Sequence, residues 1–289
     1  MKIIGIDIGG TTIKADLYDE FGTSLNQFKE IETIIHYDLG TNQTLKQVYD
    51  LIGEYILSHS IDGIEISIAG VVNANTSEII YAGYTISGYI GVNFTSKIEK
   101  RFGLSTFVEN DVHCAALGEL WKRQAKDKKN VVMATIGTRM GSSIIVNGQI
   151  VNRFNYTAGE VGYIPVDNSD WQSKASTTAL IHLYQKKSLK TNQTGPTFFT
   201  DLRSGDKVTE ETFEIFVENL TKGLLTVSYL LNPEILILGG GILANKNILL
   251  PEIQSSLAKN VMDNRFLPKN LVAATLGNEA SRIGAVKIS

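Results

Sequence analysis

A single cysteine, Cys114, among 289 residues excludes an internal disulfide framework and a cysteine-rich zinc cluster. Its apolar helical surroundings mark it as a small buried hydrophobe. His36, His59, His113 and His182 never reach metal-ligand spacing with one another or with Cys114, so protein-bound zinc is not expected. No apolar run approaches the roughly 18 residues that a membrane-spanning helix requires. An excess of either charge is lacking too. The 27 basic and 30 acidic side chains leave a net charge of −3, which offers no footprint for DNA, RNA or an anionic bilayer. The chain opens without a charged leader, apolar segment and cleavage site, and the cytoplasm is the expected compartment. The nucleotide signatures Gly-x-Gly-x-x-Gly and Gly-x-x-x-x-Gly-Lys-Ser/Thr are absent.

What is present is a well-patterned α/β chain. Apolar residues make up 43%, enough to exclude disorder, and the length suits two lobes. The boundary is expected after residue 115, giving lobes of residues 1–115 and 116–289, with the final helix free to pack back on the first lobe. Ile3 to Ile8 and Ile13 to Tyr18 read as strands, and a third ends near Ile31. A helix follows from about Leu45 to His59, then a buried strand from Ile64 to Ala69 that ends at Gly70, where backbone can approach a ligand closely. Tyr81 to Tyr89 reads as a loop, Phe94 to Phe102 as a helix and Thr106 to Val108 as a strand. The next helix, Val112 to about Trp121, is capped by Asn110 or Asp111.

From Val131 the opening pattern returns. An apolar strand runs to Ile136, a loop of mainly small residues spans Gly137 to Ser143, and a strand from Ile144 to Val146 meets an Asn147-Gly148 turn, a strong hairpin signal. Strand, loop, strand and turn thus occur twice in similar order, as an ancient duplication would leave them. Arg153 to Asp170 reads as a long functional surface segment. Thr177 to Tyr184 and Thr209 to Leu231 read as helices, with Gly195-Pro196 as a break between them. Ile235 to Leu238 is a strand that runs into Gly239-Gly240-Gly241. A helix opening at about Pro251, a strand from Leu271 to Ala274 and a helix from about Glu279 complete the chain.

Three positions carry chemistry on their own terms. Asp7 is a carboxylate delivered by a strand onto Gly9-Gly10-Thr11-Thr12, whose bare backbone and hydroxyls suit a magnesium-bearing phosphate. An ordinary strand turn is the alternative, and Lys14 either adds charge there or faces solvent. Asp111 stands beyond a strand end, where open α/β sheets bind ligands, and is suited either to general-base work beside Asn110 or to plain helix capping. Glu160, flanked by Gly159 and Gly162, can grip vicinal hydroxyls, with Tyr163 beside it for stacking or hydrogen bonding; a solvated surface glutamate is the other reading. Gly239-Gly240-Gly241 permits close approach of a flat or phosphorylated ligand, or makes a tight turn.

In this order the motifs resemble the ROK family, the sugar kinases and related regulators of the actin and hexokinase-like superfamily. The likeness runs from Ile4 almost to Ala285. It rests on Asp7-Ile8-Gly9-Gly10-Thr11, Glu109-Asn110-Asp111, Gly137-Thr138 to Gly141, Gly159-Glu160-Val161-Gly162, Leu238 to Gly241, and Gly277-Asn278-Glu279-Ala280 with Gly284-Ala285. The resemblance implies a two-lobed actin-like ATPase, ribonuclease H-like, with a central cleft. It implies ATP and magnesium as cofactors, a small sugar as partner, Asp111 as catalytic base, and commonly a homodimer. By it, Gly70, Asn110, Glu160, Tyr163 and Gln172 would contact sugar. Asp7 would hold magnesium through water. Gly9, Gly10, Thr11, Thr12, Lys14, Gly137, Thr138, Arg139, Gly239, Gly240 and Gly241 would contact the nucleotide. The acceptor expected from the family is a hexose, an N-acetylhexosamine or a β-glucoside, mostly at its 6-hydroxyl.

Departures from the family pattern bear on specificity. Tyr163 stands where most members have histidine, the cysteine-rich zinc loop is missing, and Gln172 takes the position of a sugar-binding glutamate. Arg139 replaces a small residue in the second phosphate loop, reaching the phosphates or crowding them, and Ser142-Ser143 replaces glycines. These changes leave open a catalytically weak sugar-binding or regulatory protein. The chain starts at its first strand, so a DNA-binding repressor is not expected.

Overall fold

The structure is a computed structural model that describes residues 1–82 and 86–287. Its two large sheets are built from β1 (Lys2–Ile8), β2 (Thr12–Asp19), β3 (Lys29–Glu32), β4 (Gly63–Ile68), β5 (Thr106–Asn110), β6 (Val131–Ile136), β7 (Met140–Val146), β8 (Gln149–Ile150), β9 (Ile235–Gly239) and β10 (Asn270–Ala273). The helices are α1 (Thr44–Ser58), α2 (Phe94–Phe102), α3 (Asp111–Lys122), α4 (Gln172–Ala175), α5 (Thr177–Ser188), α6 (Gly195–Arg203), α7 (Lys207–Leu231), α8 (Lys246–Asn260) and α9 (Ala280–Val286). Two compact units result: residues 1–126 with 152–158 and 278–289, and residues 127–151 with 159–277. The division falls beyond α3 and not after residue 115, because Asp111–Lys122 is one uninterrupted helix. The last helix, α9, belongs to the first unit and packs on α3. Gly284 makes that packing possible, since a Cβ there would stand 1.6 Å from the Cys114 carbonyl oxygen.

In the first unit the strand order is β3-β2-β1-β4-β5, with β1 antiparallel to β2 and parallel to β4, and β4 parallel to β5. The second unit repeats it as β8-β7-β6-β9-β10 with the same directions. The duplication legible in the sequence is therefore carried through to strand order, and the fold is the two-lobed actin-like ATPase architecture. Both faces of the central strands are covered: every residue of β4 and of β9 is buried, Glu65 and Ser67 of β4 included. The first core gathers Ile4, Ile6, Ile52, Ile66 and Phe94; the second gathers Trp171, Phe198, Phe216, Leu220 and Leu238. The buried face of α7 falls at helical spacing through Phe213, Phe216, Leu220, Leu224 and Val227, and Asn232 ends the helix in the left-handed conformation.

Several boundaries differ from those expected. The second small-residue loop is residues 137–139, not Gly137 to Ser143. Met140, Gly141, Ser142 and Ser143 already pair with β6 in the antiparallel ladder. Helix α8 begins at Lys246 and carries Pro251 inside it. The ring falls in the second turn, where only the bond to the first-turn carbonyl of Asn247 is lost. Gly195-Pro196 breaks the path out of α5 but also starts α6, with Thr194 as N-cap in a capping box and proline in the first turn. Of the segment from Tyr81 to Tyr89, expected as a loop, residues 83–85 lie outside the described residues. Tyr81 ends a short strand, Ile79–Tyr81.

Candidate active site

In the first unit, neighbouring parallel strands deliver their polar residues to one edge of the sheet. Asp7 pairs with Ser67, and Ser67 with Glu109, in the registers of β1, β4 and β5. The Ser67 hydroxyl donates to Asp7 Oδ1 at 2.8 Å. Burial raises the Asp7 carboxyl above its ordinary range, while Ser67, Arg282 and Lys14 pull it back down.

The end of β5 resolves which residue caps α3. Asn110 Oδ1 accepts from the N–H groups of Val112 at 2.9 Å and His113 at 3.1 Å, so Asn110 is the N-cap. Its Nδ2 donates to the carbonyl of Gly70 at 2.8 Å, which joins two of the expected sugar contacts. Gly70 has φ +130° and no room for a side chain: a Cβ would lie 2.7 Å from the Tyr81 carbonyl oxygen. Glu109 Oε1 accepts from the Asn110 N–H at 2.7 Å and lies 3.0 Å from His113 Nδ1. Asp111 is thus the first residue of the helix, with Asn110 as the cap, and its own Oδ1 also accepts from the Val112 N–H at 2.9 Å. Burial, and then the negative charge of Asp7, push its carboxyl up to about 7.

The first loop, residues 9–12, is tightly closed. The Gly9 N–H donates to the Thr12 carbonyl at 3.0 Å, and Thr33 donates through its N–H to the Thr11 carbonyl and through its hydroxyl to the Gly9 carbonyl, both at 2.8 Å. Gly10 lies between these braced residues, and Thr11 is exposed. Lys14 sits opposite Asp7 in the β1–β2 ladder, with its ammonium 3.7 Å from Glu30 Oε1. It serves Asp7 as a neighbouring positive charge while answering Glu30.

The second unit repeats the device. The Gly137 N–H donates to the Arg139 carbonyl at 3.0 Å, and the Gly137 carbonyl accepts from the Thr177 N–H of α5 at 2.9 Å. Thr138 and Arg139 are exposed at the tip. Ser142, one of the unexpected serines, donates through its hydroxyl to the carbonyl of Gly159 at 2.5 Å. It thereby fixes the left-handed turn, φ +98° at Gly159, that leads into Glu160. Gly162 lies against Gln172, whose Oε1 would stand 3.3 Å from a Cβ at that position. Gln172 and the Glu160 to Tyr163 segment therefore share one neighbourhood. Tyr163 is half-exposed there.

The three consecutive glycines divide their roles. At Gly239 a Cβ would meet the Met133 side chain at 2.9 Å. At Gly240, with φ +98°, it would stand 2.2 Å from the Ile136 carbonyl oxygen. Those two let β9 pass close to β6. Gly241 has nothing within 4 Å and opens onto a cavity of about 650 Å³. Gly137 and Thr138 line one side of that cavity. Thr178, Ile181, His182 and Gln185 line another, with Pro196, Phe199, Ile242 and Asn245 beyond them. Sequence reasoning missed the α5 and α6 contributions. The signal was available: positions 178, 181, 182 and 185 form one helical stripe that mixes polar and apolar residues, unlike a core face.

The residues fit a magnesium nucleotide. Asp7 gives only one oxygen to Ser67 and keeps acceptor capacity for metal-bound water. Gly241 leaves open the wall that a side chain would fill, and the cavity's apolar surfaces suit a planar base. Among the described residues, no group of three or more His, Cys, Asp or Glu is arranged to hold a metal ion. No helix among them is long and apolar enough to cross a membrane.

Duplicated sheets with strand-end carboxylates and paired glycine loops define an actin-like phosphotransferase class. The ROK family profile matches residues 3–289, and the chain belongs to the ROK family. It is 36% identical over 282 residues to an uncharacterized protein of Clostridium perfringens, covering 97% of this chain and 95% of that one. It is 27% identical to the β-glucoside kinase of Klebsiella pneumoniae, covering 99% and 95%. Among solved structures it is similar to a ROK family glucokinase from Streptomyces griseus in complex with glucose and AMPPNP. The TM-score is 0.84 at 25% identity, with 100% of this chain and 99% of that one covered.

Proposed function

We propose that this chain is an ATP-dependent sugar kinase. It transfers the γ-phosphoryl group of ATP to a hydroxyl of a hexose, an N-acetylhexosamine or a β-glucoside, with the 6-hydroxyl as acceptor and Asp111 as general base. The observation that carries the reading is Asp111 itself, raised to about 7 by burial and by Asp7 even though its Oδ1 accepts from the Val112 N–H at 2.9 Å. A base of that affinity takes a proton from an alcohol near neutral pH as the alcohol oxygen bonds to phosphorus.

In the reaction the sugar oxygen attacks the γ-phosphorus and its proton passes to Asp111. The bond from phosphorus to the bridging oxygen breaks, and ADP leaves with that electron pair. Asp7 would hold magnesium through water, and the ion would supply positive charge to the phosphate oxygens. In the first unit, residues 9–12 with Lys14 would contact phosphate; in the second, residues 137–139 including Arg139 would do so, and the cavity beside Gly241 would receive the nucleoside. Gly70, Asn110, Glu160, Tyr163 and Gln172 orient the sugar. The glucokinase bound to glucose and AMPPNP and the β-glucoside kinase among the similar proteins support a sugar acceptor and a nucleotide donor.

The test is incubation with ATP, magnesium and a panel of hexoses, acetamido sugars and β-glucosides, read by ADP release and product mass. Asp111→Ala is expected to stay folded and to lose roughly 10²–10⁴-fold in kcat. A fully active Asp111→Ala variant would sink the assignment.

A further inference from the structure

We propose that His113 is a positioning residue for the sugar site: with Glu109 it clamps the Asn110-Asp111 turn and fixes the direction in which Asn110 offers its remaining N–H. The proposal rests on the kinase reading, which gives Asn110 a sugar hydroxyl to hold and Asp111 a proton to take.

His113 is the third residue of α3 and is buried, yet its side chain has no part in the reaction steps. An imidazole is an unusual choice there, because the first turn of a helix favours acidic groups. Where a capping box forms, that third residue is glutamate or glutamine, and its side chain reaches back to the N–H of the cap. In α3 the carboxylate comes from the residue before the cap instead. Glu109 Oε1 accepts from the Asn110 N–H at 2.7 Å, and His113 Nδ1 stands 3.0 Å from the same oxygen. A carboxylate oxygen accepts, so Nδ1 carries the proton of that bond. Two residues share a task that one glutamate at position 113 could perform.

The bonds close a ring through Asn110. Its Oδ1 accepts from the Val112 N–H at 2.9 Å and from the His113 N–H at 3.1 Å. His113 is therefore tied by its backbone to the Asn110 side chain, and by its ring to the carboxylate that holds the Asn110 backbone. Asn110 Nδ2 donates to the Gly70 carbonyl at 2.8 Å. With both Oδ1 lone pairs and one amide proton engaged, a single N–H of that side chain is left for a ligand. The ring of bonds sets where it points. The Val112 N–H is shared as well, since Asp111 Oδ1 lies 2.9 Å from it. One turn thus orients both the sugar contact and the base.

Charge gives a second reason for imidazole. Burial and Asp7 raise the Asp111 carboxyl, and His113 acts on it in the opposite sense. A glutamate at 113 would brace the Asn110 N–H equally well, but it would set another negative charge beside the base and against Glu109. The Glu109–His113 pair closes the turn without that repulsion.

Two variants separate the donor from the bulk of the ring. His113→Leu keeps an apolar body and has no donor, while His113→Asn is smaller and keeps an N–H near the Nδ1 position. Both are compared with the parent by calorimetry without nucleotide, using whichever of glucose, N-acetylmannosamine, N-acetylglucosamine or methyl β-glucoside the parent binds most tightly, and by steady-state kinetics with ATP and magnesium. His113→Leu is expected to bind that sugar about tenfold more weakly, with KM for sugar raised and kcat lowered by similar factors and KM for ATP unchanged. His113→Asn should recover most of each loss. If affinity and kcat follow bulk, with leucine near the parent and asparagine impaired, the ring is only packing and the proposal falls. A lower melting temperature with unaltered sugar affinity and kcat in His113→Leu overturns it too, because the pair then only braces the helix. Sugar binding that is weakened by leucine and restored by asparagine, in a protein that phosphorylates none of these sugars, would keep the clamp and remove the kinase reading. An active kinase with an unaltered His113→Leu variant would do the reverse.

Discussion

Asp7 and Asp111 lie on the same sheet edge of the first unit, and the charge of the one makes the other harder to ionise, with Asp111 raised to about 7. A general base must be unprotonated, so kcat/KM for phosphoryl transfer should fall on the acid side with a midpoint near that value. An ordinary carboxylate would place the fall roughly three units lower. Initial rates across that range, at saturating magnesium and low sugar, check this. A profile flat down to about pH 5 contradicts it.

The same raised carboxyl has a cost in stability. Its folded value, about 7, lies above the ordinary 3.8. The folded state therefore holds the proton more tightly, and stability declines as pH rises through that window. Asp111→Asn removes the charge and keeps the shape. It should melt higher than the parent at pH 8, by roughly 2–4 °C for each kcal/mol relieved, and show no gain at about pH 4. Calorimetric melts at the two pH values decide it, and an equal change at both would assign the effect to packing.

Gly240 and Gly241 should respond oppositely to one added methyl group. At Gly240 alanine would have to hold φ +98° with its Cβ 2.2 Å from the Ile136 carbonyl oxygen. Gly240→Ala should therefore cost on the order of 3 kcal/mol or more, seen as a large drop in melting temperature. Gly241 has open space around it and borders the cavity. Gly241→Ala should leave stability within about 1 kcal/mol and raise KM for ATP while KM for sugar holds. Equal destabilisation of both variants would remove the cavity role from Gly241.

Legibility followed the size of the local signal. Strands such as Val131–Ile136 and the helix Phe94–Phe102 stood out because their periodicity is imposed by burial on both sides or on one face. Asp7, Gly9 and Asp111 stood out because charge or bare backbone at the end of an apolar strand has few packing explanations. Gly141, Ser142 and Ser143 misled, since small residues look like loop until the partner strand is known. Pro251 misled because a second-turn proline costs only a bond near the helix end. The α5 stripe along the cavity was missed for another reason: its mixed polar and apolar spacing is legible in the sequence, but what it faces in space is not.

Ser142 and Ser143 give the last test, because these neighbours face opposite sides of β7 and only one has a partner that matters. Ser142 Oγ holds the Gly159 carbonyl at 2.5 Å, just before the Glu160 segment. Ser143 Oγ is buried without a hydrogen-bond partner. Ser142→Ala should lose about 1 kcal/mol of stability, loosen the turn at Gly159 and raise KM for sugar several-fold, with KM for ATP unchanged. Ser143→Ala removes an unsatisfied hydroxyl and should be neutral or stabilising, with both KM values as in the parent. The pair separates a clamp on the sugar segment from general sensitivity of β7: if both alanines raise KM for sugar alike, the Ser142–Gly159 bond is not what orients Glu160.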